Sequence, residues 1–316
     1  MSLEWGTIKR SILVVLCPIN NAINIFMLYM IHNHSSKALS SYKKILYLGT
    51  IFDLFSANAA ALSGMVIMVK YGYQFVLIQG IFGPLPEPFS GLAYSLYHLS
   101  QYIILAEVAV QFIYRLYLVY LDKPLGWTPV LIMIGVTFIC SGANSYRRFS
   151  EFIRKHESSH DDMVKSFGWI DDKTGKVYDY AMFSTTTNNL PSYIIIGVSY
   201  FIIVVCALAV YVRVRIGVYQ LQSFNATIHR QTTIVLCLEA IIPFFAVVLP
   251  SSIYFLSVVF NISVTWLDSV GTIFSFFDPL INALVKLIVI RCYRTTLLTW
   301  LRQTLPQNNQ VSTTLQ

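Results

Sequence analysis

Four acidic residues interrupt long apolar stretches of this sequence: Asp53, Glu107, Glu239 and Asp278. An ionisable group inside a lipid bilayer is costly unless it faces other protein groups or water, so each acid is a candidate for function. At about 1.5 Å rise per residue, Asp53 and Asp278 lie roughly 14 and 18 Å from the inner ends of their predicted helices. We therefore expect these two carboxyl groups to face each other at mid-depth.

Two carboxylates that lie close together at low dielectric resist ionising at the same time. Three arrangements are open for Asp53 and Asp278: one shared proton, a bound sodium ion, or hydrogen bonds from polar neighbours. The candidate neighbours are Asn24, Ser275 and Asn282. A polar cluster that only supports the structure is the fourth interpretation.

A buried arginine is also predicted, because Arg115 follows Tyr114 near the inner end of the third apolar stretch. A buried guanidinium group needs an acceptor. The candidates are Glu239, at a similar depth on the sixth stretch, and Asp122, two turns further along the chain. The alternative is that Arg115 extends to the phosphate headgroups of the lipid.

Three prolines stand inside apolar stretches, at Pro243, Pro250 and Pro279. Each removes a backbone donor, so we expect them to kink the sixth and seventh helices. The sequence contains no Cys/His spacing for a metal, no Gly-rich phosphate loop and no Ser/His/Asp arrangement. It therefore predicts no metal site, no cofactor and no enzyme.

Apolar helices must position these residues. Of 316 residues, 56% are hydrophobic and 12% are charged, which is about half the charged fraction of a soluble domain. A bilayer span needs about 20 apolar residues. Seven such spans are predicted, near 11–32, 44–69, 92–120, 128–146, 192–213, 232–260 and 264–290. The predicted fold is all-α, a seven-transmembrane helix bundle that occupies residues 1–305 as one domain.

The polar parts of the chain lie between and after these spans. The 45 residues 147–191 carry seven basic and seven acidic residues, and we expect a solvated outer loop. Residues 291–305 place Leu and Trp side chains on one helix face, which predicts a short amphipathic helix on the inner membrane surface. Residues 306–316 are rich in Gln, Asn, Ser and Thr and are predicted to form a disordered cytoplasmic tail.

Basic residues predict the orientation of the chain. Ten Lys and Arg residues fall in the short segments on one side of the spans, against Lys9, Arg10 and Lys70 on the other. Positive residues favour the cytoplasmic side, so the amino terminus is predicted outside and the carboxyl terminus inside. These loops also explain the net charge of +7, which therefore does not indicate a nucleic-acid partner.

Several short motifs, spread over most of the chain, resemble those of a known family. They are Asn24 in Pro18-Ile-Asn-Asn-Ala-Ile-Asn24, Ser41-Tyr42-Lys43, Phe112-Ile-Tyr114-Arg115, Gln231 followed by Ile241-Ile242-Pro243, Asp278-Pro279-Leu280 and Cys292-Tyr293-Arg294. The family is the nematode seven-span chemoreceptors of the serpentine receptor superfamily, with its str, srj and srd classes. Two positions depart from its pattern: Leu116, where tyrosine is frequent, and Glu239, where glutamine is frequent.

The resemblance implies a G protein coupled receptor of rhodopsin-like general architecture that detects a small-molecule odorant or pheromone. Its implied location is the plasma membrane of a sensory cilium. The implied partners are a heterotrimeric G protein, the ligand and membrane lipids. By analogy with rhodopsin-like receptors, Asp278-Pro279 stands for the Asn-Pro or Asp-Pro of the seventh span. The switch for G protein coupling would be formed by Arg115, Tyr114, Glu239 and Asp122.

A function from another class stays open. In a seven-span ligand-gated ion channel or transporter with inverted topology, the intramembrane acids would line an ion path. The spans show no internal repeat of the kind that transporters carry. A ligand-evoked current that needs no G protein would distinguish this alternative from a receptor.

Overall fold

A computed structural model describes residues 2–70, 73–121, 123–154, 160–171, 174–184, 190–217, 223–260 and 267–304. In chain order the helices are α1 (Ser2–Asn33), α2 (Lys43–Ser63), α3 (Phe89–Leu121), α4 (Trp127–Arg154), α5 (Asp161–Ser166), α6 (Leu190–Gly217), α7 (Ser223–Pro243), α8 (Leu249–Val259), α9 (Leu267–Val289) and α10 (Arg291–Thr304). The strands are β1 (Met65–Lys70), β2 (Tyr73–Gly80), β3 (Gly83–Pro84) and β4 (Tyr180–Ser184). The predicted tail, 306–316, lies outside the described residues.

The helices form the predicted bundle. Within the described ranges, six helices are long and apolar enough to cross a membrane: α1, α2, α3, α4, α6 and α7, the last continued into α8. The seventh span is α9, which passes the same test together with α10. The prediction of a helical membrane bundle with seven spans is confirmed.

The second helix is shorter than predicted because Gly64 ends it. Gly64 has a φ of 45° in the left-handed region and its N–H donates to the Ala60 carbonyl. A side chain here would collide with the backbone of Gln79, so only glycine fits. The chain then continues as β1, and the prediction of helix at residues 65–69 is wrong. An apolar run does not by itself distinguish helix from buried strand.

The strands form an antiparallel sheet at one end of the bundle. β2 pairs with β1, with β4 and with the short β3. Because successive side chains of a strand point to opposite faces, Val76 and Ile78 pack against the bundle, while Phe75 and Leu77 pack against the segment that contains α5 and Trp169. We call this the sheet end of the bundle. Here α1, α3 and α9 begin and α2 ends.

The polar segment between the fourth and fifth spans is folded where the structure describes it. α4 continues to Arg154 rather than ending at residue 146. Beyond it, Val164, Trp169 and Tyr180 are almost fully buried against the sheet. The expectation of a solvated loop is wrong for these residues, because the strand face gives their apolar side chains a surface to cover. Residues 155–159 lie outside the described part.

The opposite end of the bundle is closed by α10, and we call it the α10 end. The axes of residues 273–289 and 291–303 differ by 88°, so α10 runs across the bundle. The Trp300 ring lies 6.0 Å from the Phe26 ring and 5.2 Å from the His34 ring, measured between centroids. The Tyr293 hydroxyl lies 2.8 Å from the Ser35 hydroxyl. The predicted amphipathic helix is confirmed and docks on α1.

Candidate functional site

A buried lysine joins acids from two other spans. The Nζ of Lys286 lies 2.9 Å from Oδ2 of Asp53 and 3.1 Å from Oε1 of Glu239. The first contact is a hydrogen bond, and the second has the distance of an ion pair without hydrogen-bond geometry. All three residues are at most 3% exposed. Because they belong to α9, α2 and α7, one ammonium group connects three spans.

An amide joins the two acids that were predicted to face each other. Nδ2 of Asn282 donates to Oδ1 of Asp53 at 3.0 Å and to Oδ1 of Asp278 at 3.1 Å. The structure therefore places both carboxyl groups in one layer. In this geometry Asp53 accepts from the amide and from the ammonium group of Lys286, and Asp278 accepts from the amide. A shared proton or a bound sodium ion stays a prediction.

The other two predicted neighbours bind backbone carbonyl groups. Asn24 on α1 donates through Nδ2 to the carbonyls of Asn20 and Pro279, at 3.0 and 3.3 Å. Ser275 on α9 donates to the carbonyl of Ala246 at 3.3 Å. These contacts tie α9 to α1 and to the segment after α7, which positions the residues beside them.

The third span adds a carboxyl group beside a glycine of α2. Nε2 of Gln111 donates to Oε1 of Glu107 at 2.6 Å. A Cβ atom on Gly49 would lie 3.2 Å from this Oε1 and 3.3 Å from Nζ of Lys286. The absence of a side chain at Gly49 thus makes room for groups from α3 and α9. We define the charge network as Asp53, Glu107, Gln111, Glu239, Asp278, Asn282 and Lys286.

The charge network is suited to switching between arrangements. Its described members comprise four carboxyl groups and one ammonium group, in a core where water does not screen charge. Removing one partner of a buried ion pair leaves the other charge without compensation. If α7 moves, Lys286 must therefore move together with Glu239, or Glu239 must exchange Lys286 for another partner.

Arg115 lies nearer the α10 end and is 1% exposed. Its Nη2 donates to Oγ1 of Thr233 on α7 at 3.1 Å, and its guanidinium carbon lies 5.1 Å from the centroid of the Tyr42 ring. The predicted pair with Glu239 is not formed, since Glu239 stands six residues, about 9 Å, beyond Thr233 along α7 and binds Lys286. The other predicted acceptor, Asp122, lies outside the described residues.

Tyr114 holds the turn between α1 and α2. Its hydroxyl donates to the carbonyl of Ser41, and its ring lies 6.3 Å from the ring of Tyr42. Since the guanidinium group of Arg115 lies over the ring of the same Tyr42, the Tyr-Arg pair of α3 is packed against this turn. The predicted switch residues Tyr114 and Arg115 therefore meet on Tyr42.

The prolines bracket a change in helix type. α7 ends at Pro243, residues 244–248 form a π-helical segment, and α8 begins at Leu249, directly before Pro250. Such segments interrupt regular helix bonding and occur at functional sites. Pro279 stands within α9, one residue after Asp278. Movement at these prolines stays a prediction.

Three members of the charge network or its surroundings were not predicted from the sequence: Lys286, Gln111 and Gly49. Lys286 was detectable, because a lysine within the predicted span 264–290 meets the criterion that singled out the acids. Gln111 and Gly49 carry no such signal, since a neutral amide and a glycine are ordinary in membrane helices.

Comparison with known proteins agrees with this architecture. The crystal structure of squid rhodopsin is similar with a TM-score of 0.67 and 11% sequence identity, over 97% of this chain and 87% of that chain. At this identity the likeness shows the fold alone. No curated protein sequence matches. Residues 9–298 match a family described as the serpentine type 7TM GPCR chemoreceptor Str. Because the match spans most of the chain, this multi-pass membrane protein belongs to the Str family of serpentine seven-transmembrane chemoreceptors.

Proposed function

We propose that this protein detects a small-molecule odorant or pheromone at the sheet end and activates a heterotrimeric G protein at the α10 end. The receptor stands in the plasma membrane of a sensory cilium, with the amino terminus outside. Basic residues support this orientation, since Lys43 and Lys44 at the start of α2 and Arg291 and Arg294 on α10 gather at the α10 end. Such residues favour the cytoplasmic side.

The observation that carries the proposal is the contact of Arg115 with α7. A buried guanidinium on α3 donates to Thr233 at the end of the bundle that a cytoplasmic partner can reach. If ligand binding displaces α7, this contact breaks and the guanidinium becomes available to backbone carbonyls of the partner. Both states bind the charge, which makes Arg115 a two-state element. Allosteric couplings of about 1 to 3 kcal/mol change output roughly 5- to 150-fold.

The charge network links this end to the rest of the bundle. Glu239 and Thr233 stand on the same helix, so a movement of α7 acts on both Lys286 and Arg115. The π-helical segment at 244–248 lies between these residues and the sheet end. A displacement that begins at the sheet end therefore reaches Glu239 before Thr233.

Arg115→Ala tests the proposal. Cells that express the receptor with a Gα subunit are stimulated with a panel of small odorants while nucleotide exchange and membrane current are recorded. We expect the variant to reach the cell surface and to lose ligand-stimulated exchange. The matched control is Arg10→Ala, which removes an exposed arginine at the sheet end and should keep the exchange.

Two results would contradict the proposal. Normal exchange in Arg115→Ala would reduce Arg115 to a structural or headgroup-binding residue. A ligand-evoked current without nucleotide exchange in the unmodified receptor would instead favour the channel alternative.

A further inference from the structure

Two side chains of α9, Asp278 and Asn282, each leave one oxygen atom without a hydrogen bond. Oδ2 of Asp278 and Oδ1 of Asn282 are buried, and neither has a partner among the described residues. The two residues stand four positions apart on the helix and are 1% and 4% exposed. Buried polar atoms are normally hydrogen-bonded, so each exception needs an explanation. Since a carboxylate oxygen and an amide oxygen are both acceptors, these two atoms cannot bond to each other unless a proton lies between them.

The remaining polar atoms of the same two groups are already engaged. Nδ2 of Asn282 donates to Oδ1 of Asp278 at 3.1 Å and to Oδ1 of Asp53 at 3.0 Å, which uses both of its hydrogens. A protonated carboxylic acid has one O–H donor beside its carbonyl oxygen. A proton on Oδ2 of Asp278 would let the acid and the amide bond reciprocally, with N–H donating to the acid and O–H donating to the amide. One proton thus explains both unpartnered atoms.

The charge balance also favours a neutral Asp278. In the described part of the charge network, one ammonium group faces four carboxyl groups. Lys286 stands at Asp53 and Glu239, whereas Asp278 accepts from an amide. A buried carboxylate without a cation at its oxygens is costly, and such a group tends to be neutralised instead.

The titratable groups that interact with Asp278 come from several elements. Among the described residues they are Asp53 on α2, Tyr200 on α6, Glu239 on α7 and Lys286 on α9 itself, with Glu107 of α3 in the same network. The Tyr200 hydroxyl donates to the carbonyl of Ala240, and Asn24 of α1 is a neutral amide that binds a backbone carbonyl. The neighbouring carboxylates oppose a further negative charge, and they share the single ammonium group.

We propose that Asp278 is a proton-binding site, with the proton held on Oδ2 and donated to Oδ1 of Asn282. Asp53 and Glu239 stay ionised beside Lys286. The proton is then localised on α9 and is not shared between the two aspartates. An ionised Asp278 would compete with the other carboxylates for the one ammonium group. Proton release would therefore weaken the ties of α9 to α2 and α7, so this packing of the three spans depends on the bound proton.

Infrared spectroscopy of the purified full-length receptor at neutral pH tests the site. A protonated carboxyl group has a C=O stretching band that a carboxylate lacks. We expect Asp278→Asn to remove the band area of one protonated acid, and the same band to shift when the receptor is prepared in D2O. Asp53→Asn should keep that area. Asn282→Leu should keep the proton and move the band, because the acid loses both hydrogen bonds to the amide.

Thermal unfolding gives a second measurement with the same variants. Asp278→Asn should change the midpoint little, because an amide at this position can still bond reciprocally with Asn282. Asp53→Asn should lower the midpoint more, because it removes one charge of a buried ion pair. The opposite order of the two variants would contradict a neutral Asp278.

The matched control is Asp162→Asn, which removes an exposed carboxylate that pairs with Lys165 at 2.9 Å and should leave band and midpoint unchanged. If Asp278→Asn keeps the full band area, Asp278 is ionised and the proposal is wrong. Equal loss of area in Asp278→Asn and Asp53→Asn would indicate one shared proton and overturn the localised site. A band that disappears when sodium replaces choline in the buffer would indicate a sodium ion at Asp278 instead. These measurements need neither ligand nor G protein, so the proton site and the proposed coupling fail separately.

Discussion

Lys286 shows how a single side chain determines the electrostatics of the bundle. Asp53 and Asp278 on their own would repel each other at low dielectric. The ammonium group of Lys286 stands at Asp53, and the amide of Asn282 donates to both carboxyl groups. The chain thereby supplies a cation of its own to Asp53, and a sodium ion bound by the two acids stays a prediction. The ammonium group is covalently attached to α9, so neutralising Asp53 also fixes the position of α9 against α2.

Lys286→Met is predicted to destabilise the receptor strongly. The substitution leaves Asp53 and Glu239 buried without their cation, and breaking a buried ion pair from one side costs about 3–5 kcal/mol. Thermal unfolding of the purified receptor measures the loss. The triple variant Lys286→Met, Asp53→Asn, Glu239→Gln removes all three charges and should recover most of it.

The control for this series is Lys37→Met, which removes an exposed lysine in the turn between α1 and α2. It should change the unfolding midpoint little, because surface substitutions usually have small effects. If the triple variant is less stable than Lys286→Met alone, the three charges do not act as the ion-paired group described here.

At the residue scale, the depth of Asp53 and Asp278 along their helices could be predicted from the sequence, but the partners of the charged side chains could not. The rise of a regular helix placed Asp53 and Asp278 in one layer from the sequence alone. The partner of Glu239 could not be predicted in this way, because it depends on how α3, α7 and α9 are rotated about their axes. Arg115 was predicted at the depth of Glu239, but it meets α7 at Thr233, six residues before Glu239, and Lys286 of α9 stands beside Glu239 instead.

At the scale of elements, Gly64 decides where helix becomes strand. Its φ of 45° and its contact with the backbone of Gln79 allow α2 to end and β1 to pair with β2. Gly64 could have indicated the helix end in the sequence, but residues 65–69 after it are as apolar as the helix, so the helix was predicted to continue through them. The bundle helices were predictable because each is a long uninterrupted apolar segment. The sheet was not, because its strands are short and pair over long separations in sequence.

Gly64→Ala is predicted to destabilise the sheet end. A left-handed residue with a Cβ atom costs about 1–2 kcal/mol, and the collision with the backbone of Gln79 adds to this. We expect a lower unfolding midpoint and faster proteolysis between β1 and β2. The matched control is Gly142→Ala on α4, where an added Cβ meets no atom within 4 Å and helix propensity favours alanine. Equal stability of the two variants would show that α2 tolerates a different end.

At the scale of the whole molecule, the two ends of the bundle differ in chemistry. The sheet end buries its strands under α5 and Trp169. The α10 end gathers basic residues and is crossed by a helix with one apolar face. An amphipathic helix that runs across a bundle end lies in the membrane interface. This arrangement fits a molecule whose folded sheet end lies on one side of the bilayer and whose basic α10 end lies on the other.

The orientation of this asymmetric molecule can be tested by glycosylation. Native Asn-X-Ser/Thr sequons begin at Asn33, Asn225 and Asn261. Asn261 lies outside the described residues, and we expect it outside the cell but hard against the membrane. Asn33, at the α10 end of α1, and Asn225, in α7, test the orientation. With the amino terminus outside, both lie on the cytoplasmic side and should carry no glycan, because sequons are glycosylated only on the lumenal or outer side.

Asp172→Asn creates a sequon with Thr174, in the segment between α5 and β4 at the sheet end, and should add one glycan. A glycosidase-sensitive mobility shift of the expressed receptor measures each case, with Thr174→Ala in the Asp172→Asn background as the control that removes the new sequon. A glycan at Asn33 or Asn225 would show that the orientation is inverted. The basic end would then lie outside the cell, where no G protein can reach Arg115.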